Sequence, residues 1–200
     1  MEIMTFSIVV LLVIVGVIFI VRLHKIEKKK NRELLTNIAT ELNATIDFGD
    51  WKTQPIFRGK TGDNVYEITF HVVSTGKSQI KYLDIKTPFE STDLHLCIRR
   101  YGSGSKILNK LGMGKQIETG DSAFDSAVKI KGEPESRLQA LAYDWTFKDA
   151  ALNLIKRNFS VDFKPPFAVA SKVYSKKKDM VSQILQADIK HLIDLSNICR

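Results

Sequence analysis

From Ile3 to Val21 the chain carries no charged residue; Ile, Val, Leu and Phe dominate all nineteen positions. At about 1.5 Å of rise per residue, a helix of that length covers roughly 28 Å, close to the hydrocarbon thickness of a bilayer. A helix buried on a globular core keeps a polar face, and this run has none. A cleaved signal peptide needs basic residues before the apolar run and small residues at a cleavage site after it. Here Glu2 is the only charge before the run, and Arg22, Leu23, His24 and Lys25 follow it. The run therefore reads as a transmembrane helix, residues 1–23, of the signal-anchor kind.

Charge sets the expected orientation. Arg22, Lys25, Lys28, Lys29, Lys30 and Arg32 stand against Glu27 and Glu33, six minus two, for a net of +4 in a basic juxtamembrane helix, residues 24–43. The excess of basic residues on this flank predicts a single-pass protein of the cell membrane, with the N-terminus outside and a cytoplasmic domain over residues 44–200. The six basic side chains are the candidate lipid-headgroup contacts, each worth about 1 kcal/mol near an anionic surface. Because this segment holds half of the chain's net charge of +8, the remainder is too dilute to argue for nucleic acid. Lys176, Lys177 and Lys178 form one further cluster and read as a solvated helix start.

Two cysteines, Cys97 and Cys199, make neither a disulfide framework nor a metal-spacing motif, so both are expected as free thiols.

Beyond the membrane run, Leu34, Leu35, Ile38 and Leu42 recur at helical spacing, either continuing the same rod or starting afresh near Asn31. Period-two alternation follows. "NVYEITFHVV" puts Tyr66, Ile68, Phe70 and Val72 on one face, and "DLHLCIRR" puts Leu94, Leu96 and Ile98 on one face with His95, Cys97 and Arg99 on the other. "PIFRGK" and "QIKYLDIK" are shorter strand candidates. The turns "KTGDN" and "STGKS" between them predict an antiparallel meander with one face on a core. "GSGSKILNKLG" reads as a short helix closed by Gly112. Glu133 to Arg157 reads as helical, with Pro134 in the first turn and a break near Asp144. "NFSVDF" and "FAVASKVYS" form a strand pair around Pro165 and Pro166. A final helix carries Val181, Ile184, Leu185, Ile189 and Leu192 on one face. Strands grouped ahead of helices give an α+β class: an N-terminal transmembrane helix, then a mostly antiparallel sheet packed with helices.

Few motifs carry chemistry. "YGSGSK" and "LGMGKQ" invite a phosphate-loop reading, but a loop ending at Gly114 and Lys115 needs glycine at Asn109 and Ser or Thr at Gln116. A dinucleotide fingerprint fails likewise at Ile107 and at Ile117. No cofactor and no metal site are expected. His95 and Cys97 share a strand face, which His71 joins if the strands pair in chain order. Such a cluster could build a Cys–His nucleophile or a metal site, although polar residues are also what the outer face of a half-buried sheet carries.

"IETGDSAFDSAVKIKG" offers an acid pair, Asp121 and Asp125, with Glu118 beside it. Two carboxylates could work as acid and base, or hold a divalent cation together with Glu118. The spacing of a calcium loop is missing. The structural reading has Gly120 taking a positive φ, Asp121 accepting backbone N–H bonds, Phe124 plugging the core and Asp125 ending the turn before the strand "SAVKIKG".

"ETGDSAFDSAVKIKGEPESRLQAL" resembles the shared stretch of a set of uncharacterised bacterial single-pass membrane-anchored proteins, which carry a Thr-Gly-Asp-x-x-Phe-Asp motif. The matching positions are Thr119, Gly120, Asp121, Phe124 and Asp125, with Val128 where that group often has an aromatic residue. The likeness extends upstream through "IATELNATIDFGDW" and "PIFRGKTGDNVYEITF" to "LHLCIRRYG". It implies the fold and the membrane anchor, and it transfers no catalytic role.

The sequence thus predicts a membrane-anchored cytoplasmic binding or scaffolding module, not an enzyme, with membrane lipid as one partner and a protein as another through the C-terminal helix. The alternatives are a membrane-tethered hydrolase or metal enzyme using Asp121, Asp125, His95 or Cys97, and a lipid-handling protein with an apolar cavity.

Overall fold

The computed structural model describes residues 2–49, 53–76, 78–91, 93–101 and 116–200, with the side chains of 2–15, 17, 18 and 116 outside the description. The expected short helix within "GSGSKILNKLG" and the glycine motifs around it lie outside the described residues, apart from Tyr101 and Gln116 at their margins. The chain divides into two compact units, residues 1–38 and 39–200.

In the first unit the backbone is helical from Glu2, and this helix, α1, runs unbroken to Glu41, so there is no break at Asn31. Among the described residues no helix is long and apolar enough to cross a membrane. The expected span, Ile3–Val21, falls mostly on positions whose side chains lie outside the description. Where they are described, Phe19, Ile20, Val21, Leu23 and Ile26 stand 48–66% exposed. The basic positions of the following turns are exposed as well, and Lys29 reaches Glu33 at 3.9 Å along the helix.

The second unit is α+β. Its strands are β1 (Ala44–Asp47), β2 (Ile56–Thr61), β3 (Asn64–Ser74), β4 (Gln79–Pro88), β5 (His95–Arg100), β6 (Gln116–Ile117), β7 (Val128–Glu133), β8 (Ser160–Lys164) and β9 (Phe167–Val173). They form one sheet in the order β1-β2-β3-β4-β9-β8-β5-β7-β6, and each pairing is antiparallel. The register aligns one apolar row across the whole sheet: Ile46, Phe57, Ile68, Ile85, Ala170, Val161, Ile98, Ile130 and Ile117 are successive Cα partners. Because side chains alternate at every residue, one slip in any pairing would turn that strand's apolar set to the opposite face.

The meander read from the turns holds for β2 to β4, with a strand the sequence did not signal, β1, ahead of it, and fails at β5. The C-terminal hairpin β8–β9 inserts between β4 and β5, and residues 89–94 bridge the gap past its turn. Phe89 donates its N–H to the Pro166 carbonyl at 2.9 Å, and its ring meets Phe163 edge-on at 5.1 Å. Phe89 and Leu94 are fully buried, so the two ends of this connection belong to the core, while Glu90 and Asp93 are exposed. Local alternation says that a segment is a strand; it carries no information about which strand lies beside it.

Helices α2 (Ser122–Ala127), α3 (Glu135–Tyr143), α4 (Trp145–Lys156), α5 (Lys176–Asp179) and α6 (Ser182–Ile198) complete the unit. The expected break near Asp144 is present, while Glu133 belongs to β7 and the helices begin only at Glu135. Asp144 closes α3 and caps α4, accepting the Phe147 N–H at 3.0 Å. Helix α6 packs on β4, β9 and α4 and buries Leu185, Asp188, Ile189, Leu192, Ile193, Leu195 and Ser196. Most of its apolar stripe packs within the domain: Leu185, Ile189 and Leu192 are buried, while Ile184 is half-buried and Val181 is 39% exposed at the helix entrance, which leaves little of the stripe for a protein partner.

Two features of this core escaped the sequence. Tyr66 lies across Gly59, where a Cβ would come within 2.4 Å of its hydroxyl, and it donates to the Leu42 carbonyl at 2.8 Å. The second is a buried charge cluster. Lys172 of β9 reaches Asp179 at 2.7 Å and Asp188 at 3.5 Å, and Arg157 at the end of α4 meets Asp188 at 2.8 Å. Asp188 is held by the two cations, with hydrogen bonds to them that are poorly aligned. Burial pushes this carboxyl up from the ordinary range, and Lys172 and Arg157 pull the other way.

Candidate functional site

The acid pair lies in a turn whose groups are already engaged. Gly120 takes φ +74°. Asp121 caps α2, its Oδ1 accepting the Ala123 and Phe124 N–H groups at 3.1 Å each. Asp125 accepts the Thr119 N–H at 3.1 Å and its hydroxyl at 3.0 Å. Phe124 is buried. Lys148 lies 3.8 Å from Asp121. The strand begins at Val128, two residues later than "SAVKIKG" implied, because Ser126 and Ala127 complete the capped helix. Carboxylates held by backbone amides fold this turn without needing a substrate.

His95 and Cys97 are not joined by His71. With β4, β9 and β8 between β3 and β5, four strand spacings, roughly 19 Å, separate them. His95 is exposed, whereas Cys97 is 2% exposed. Its register partners are Lys131 and Asp162, and Arg99 grips Asp162 through two contacts of 2.7 Å. Burial, with the Asp162 charge adding to it, pushes the Cys97 thiol up to about 11, so it is protonated at neutral pH and a poor nucleophile. Among the described residues no group of three or more His, Cys, Asp or Glu side chains is placed to hold a metal ion.

The sheet does assemble a trio that the sequence did not announce. Asp84 Oδ2 lies 2.7 Å from His71 Nδ1, and Ser171 donates its hydroxyl to Asp84 Oδ1 at 2.6 Å. The His71 ring stacks on Tyr82 at 5.0 Å and 6°. In a nucleophilic triad the imidazole stands between hydroxyl and carboxylate, so that it can take the hydroxyl proton. Here the carboxylate is in the middle, and the arrangement satisfies a 7%-exposed Asp84 without activating Ser171.

What remains is a groove of about 390 Å³ on the sheet face opposite α6. Two register rows make it. Arg58, Glu67 and Lys86 are successive partners across β2, β3 and β4; two residues further along, Lys60 pairs with Val65 and Pro88 pairs with Phe167 of β9. Glu67 is 3.0 Å from Arg58 and 3.9 Å from Lys86. Val65 and Phe167 are 41% and 46% exposed, and no helix covers them among the described residues. Asp121, Asp125, His95 and Cys97 do not line this groove. A second recess, of about 420 Å³, lies between Leu42, Lys60, Tyr66, Gln186 and Lys190. No strand by itself signals the groove, since its cations and apolar floor come from four strands.

Comparison with protein-family models and with curated proteins gives no match. Among solved structures, the chain is similar to the crystal structure of the mycobacterial trehalose monomycolate transport factor A, TtfA, with a TM-score of 0.53 and 8% identity over 82% of this chain and 91% of that one. At that identity the likeness is one of fold: an α+β domain built on an antiparallel sheet.

Proposed function

We propose that the chain is a single-pass membrane protein whose α+β domain acts at the inner face as a lipid-related binding or scaffolding module, not as a catalyst. The observation that carries this reading is the junction on α1: exposed Phe19, Ile20, Val21, Leu23 and Ile26 run directly into the exposed basic turns from Arg22 to Arg32. Leaving so many apolar side chains in water is costly, at about 25 cal/mol per Å². A bilayer edge covers the apolar residues and pairs the basic ones with anionic headgroups. The charge excess puts the N-terminus outside and the domain in the cytoplasm. The resemblance of the Thr119–Asp125 motif to membrane-anchored proteins agrees with this.

The binding role is supported by the groove on the open sheet face, and by the engagement of the acid pair and the burial of Cys97, which leave no assembled catalytic set among the described residues. The fold likeness to a transport factor for trehalose monomycolate lends a lipid-related direction to that role. The test is extraction and protection of the full-length chain in native membranes. It should resist alkaline carbonate, and protease added outside right-side-out vesicles should leave the C-terminal domain intact. Release by carbonate refutes the anchor; digestion of the domain refutes the orientation.

A further inference from the structure

We propose that the groove on the open sheet face binds an amphiphile with a single anionic headgroup, seating the head among Arg58, Lys60 and Lys86 and laying the apolar tail over Val65, Pro88 and Phe167. The proposal deepens the binding-module reading above and rests on it. Three features carry it.

The first is charge. The lining holds three cations against one carboxylate, Glu67, and this carboxylate reaches both Arg58, at 3.0 Å, and Lys86, at 3.9 Å. One acidic group can therefore meet two of the cations at once, while Lys60 makes no ion pair with a described residue. The Arg58 and Glu67 side chains are 56% and 31% exposed, which makes theirs a weak surface pair that an incoming anion can displace or share.

The second is the floor. Val65 and Phe167 remain more than two-fifths exposed beside the cations, so the same groove offers apolar cover next to positive charge. Its volume of about 390 Å³ lies at the low end of small-molecule sites, which run to roughly 1,000 Å³, and suits a single chain.

The third is the backbone. Each of β2, β3, β4 and β9 has a strand neighbour on both sides, and at the groove the registers leave only Lys60 and Thr61 beyond β1 and Asn64–Tyr66 beyond β4. Stretches of two or three residues are too short for an extended acidic peptide to gain the run of main-chain bonds on which that mode of binding depends. A nucleic acid needs a longer track of cations than these three.

The experiment uses the full-length chain in nanodiscs of zwitterionic lipid. The probe is dodecyl phosphate carrying a terminal diazirine; adducts in residues 39–200 are mapped by mass spectrometry. Adducts should concentrate on the segments around Val65 and Phe167. Unlabelled dodecyl phosphate should compete, and inorganic phosphate at the same concentration should not. Lys60→Ala and Lys86→Ala should each weaken labelling about tenfold, the size of one charge-assisted contact. Glu67→Gln should strengthen it several-fold, because it frees Arg58 and Lys86; thermal melts matching the parent chain show that each variant folds.

Equal labelling by the corresponding dodecanol probe would overturn the headgroup assignment, and competition by inorganic phosphate would reduce the groove to an anion patch. No change with Glu67→Gln, or adducts scattered over the domain, would overturn the site. Displacement of the probe by an acidic peptide but not by dodecyl phosphate would reassign the face to a protein partner. A chain that enters nanodiscs but gives no groove adducts sinks this inference and leaves the anchor standing. Groove adducts on a chain that fails to enter nanodiscs sink the anchor alone.

Discussion

Asp121 and Asp125 show how a pair of acids can be spent on one turn. Asp121 satisfies two of the amides that the start of α2 leaves without partners, and Asp125 closes the loop back onto Thr119. Asp121→Ala should cost about 1 kcal/mol in urea unfolding, and Asp121→Asn less, because an asparagine oxygen can still cap. A variant that kept its stability while the chain lost its cellular function would restore the chemical reading. The buried thiols give a second prediction. Burial raises Cys97 to about 11 and Cys199 to about 12 from the ordinary 9.0. Between about pH 9 and about pH 11 the unfolded chain therefore releases protons that the folded chain keeps, and stability falls as pH rises through that window. Burial raises Tyr66 and Tyr174 as well, which acts in the same direction above pH 10. Urea midpoints at pH 8 and pH 10 should show the loss, and neither thiol should react with a disulfide reagent at pH 8 until the chain unfolds.

At the scale of elements, α6 and the β8–β9 hairpin tie the two halves of the sheet together, and the buried charge cluster sits where they meet. Asp188→Ala leaves Arg157 without its carboxylate and Lys172 with Asp179 alone, and should destabilise by about 3 kcal/mol. Replacing Lys172, Arg157, Asp179 and Asp188 together by apolar residues of similar size should cost much less, which unfolding of the quadruple variant would measure. Leu192→Ala, at a fully buried position of α6, should cost about 2–5 kcal/mol through its cavity. If it left stability unchanged, the docking of α6 on the sheet would be wrong.

For the whole molecule, the proposed orientation rests on the six basic residues of α1. Replacing Arg22, Lys25, Lys28, Lys29, Lys30 and Arg32 by Gln should yield a mixture of orientations, read as partial protease digestion of the domain in sealed vesicles. How far such features were legible follows from the range of the forces behind them. Helix α1, the strand faces of β3, the apolar face of β5, the C-terminal helix and the Asp121 turn were open to reading, because each depends on periodicity or capping within a few residues. The order β4-β9-β8-β5 was not, since nothing local to β5 records that a hairpin sixty residues later will lie beside it. The same holds for the separation of His71 from His95 and Cys97, for the Lys172, Asp179, Asp188 and Arg157 cluster, and for the groove. By itself the sequence determined the apolar span, the basic flank and the two-faced segments, through composition and period alone. The tertiary structure decided which faces meet, because burial and pairing are settled only when distant strands are brought into register.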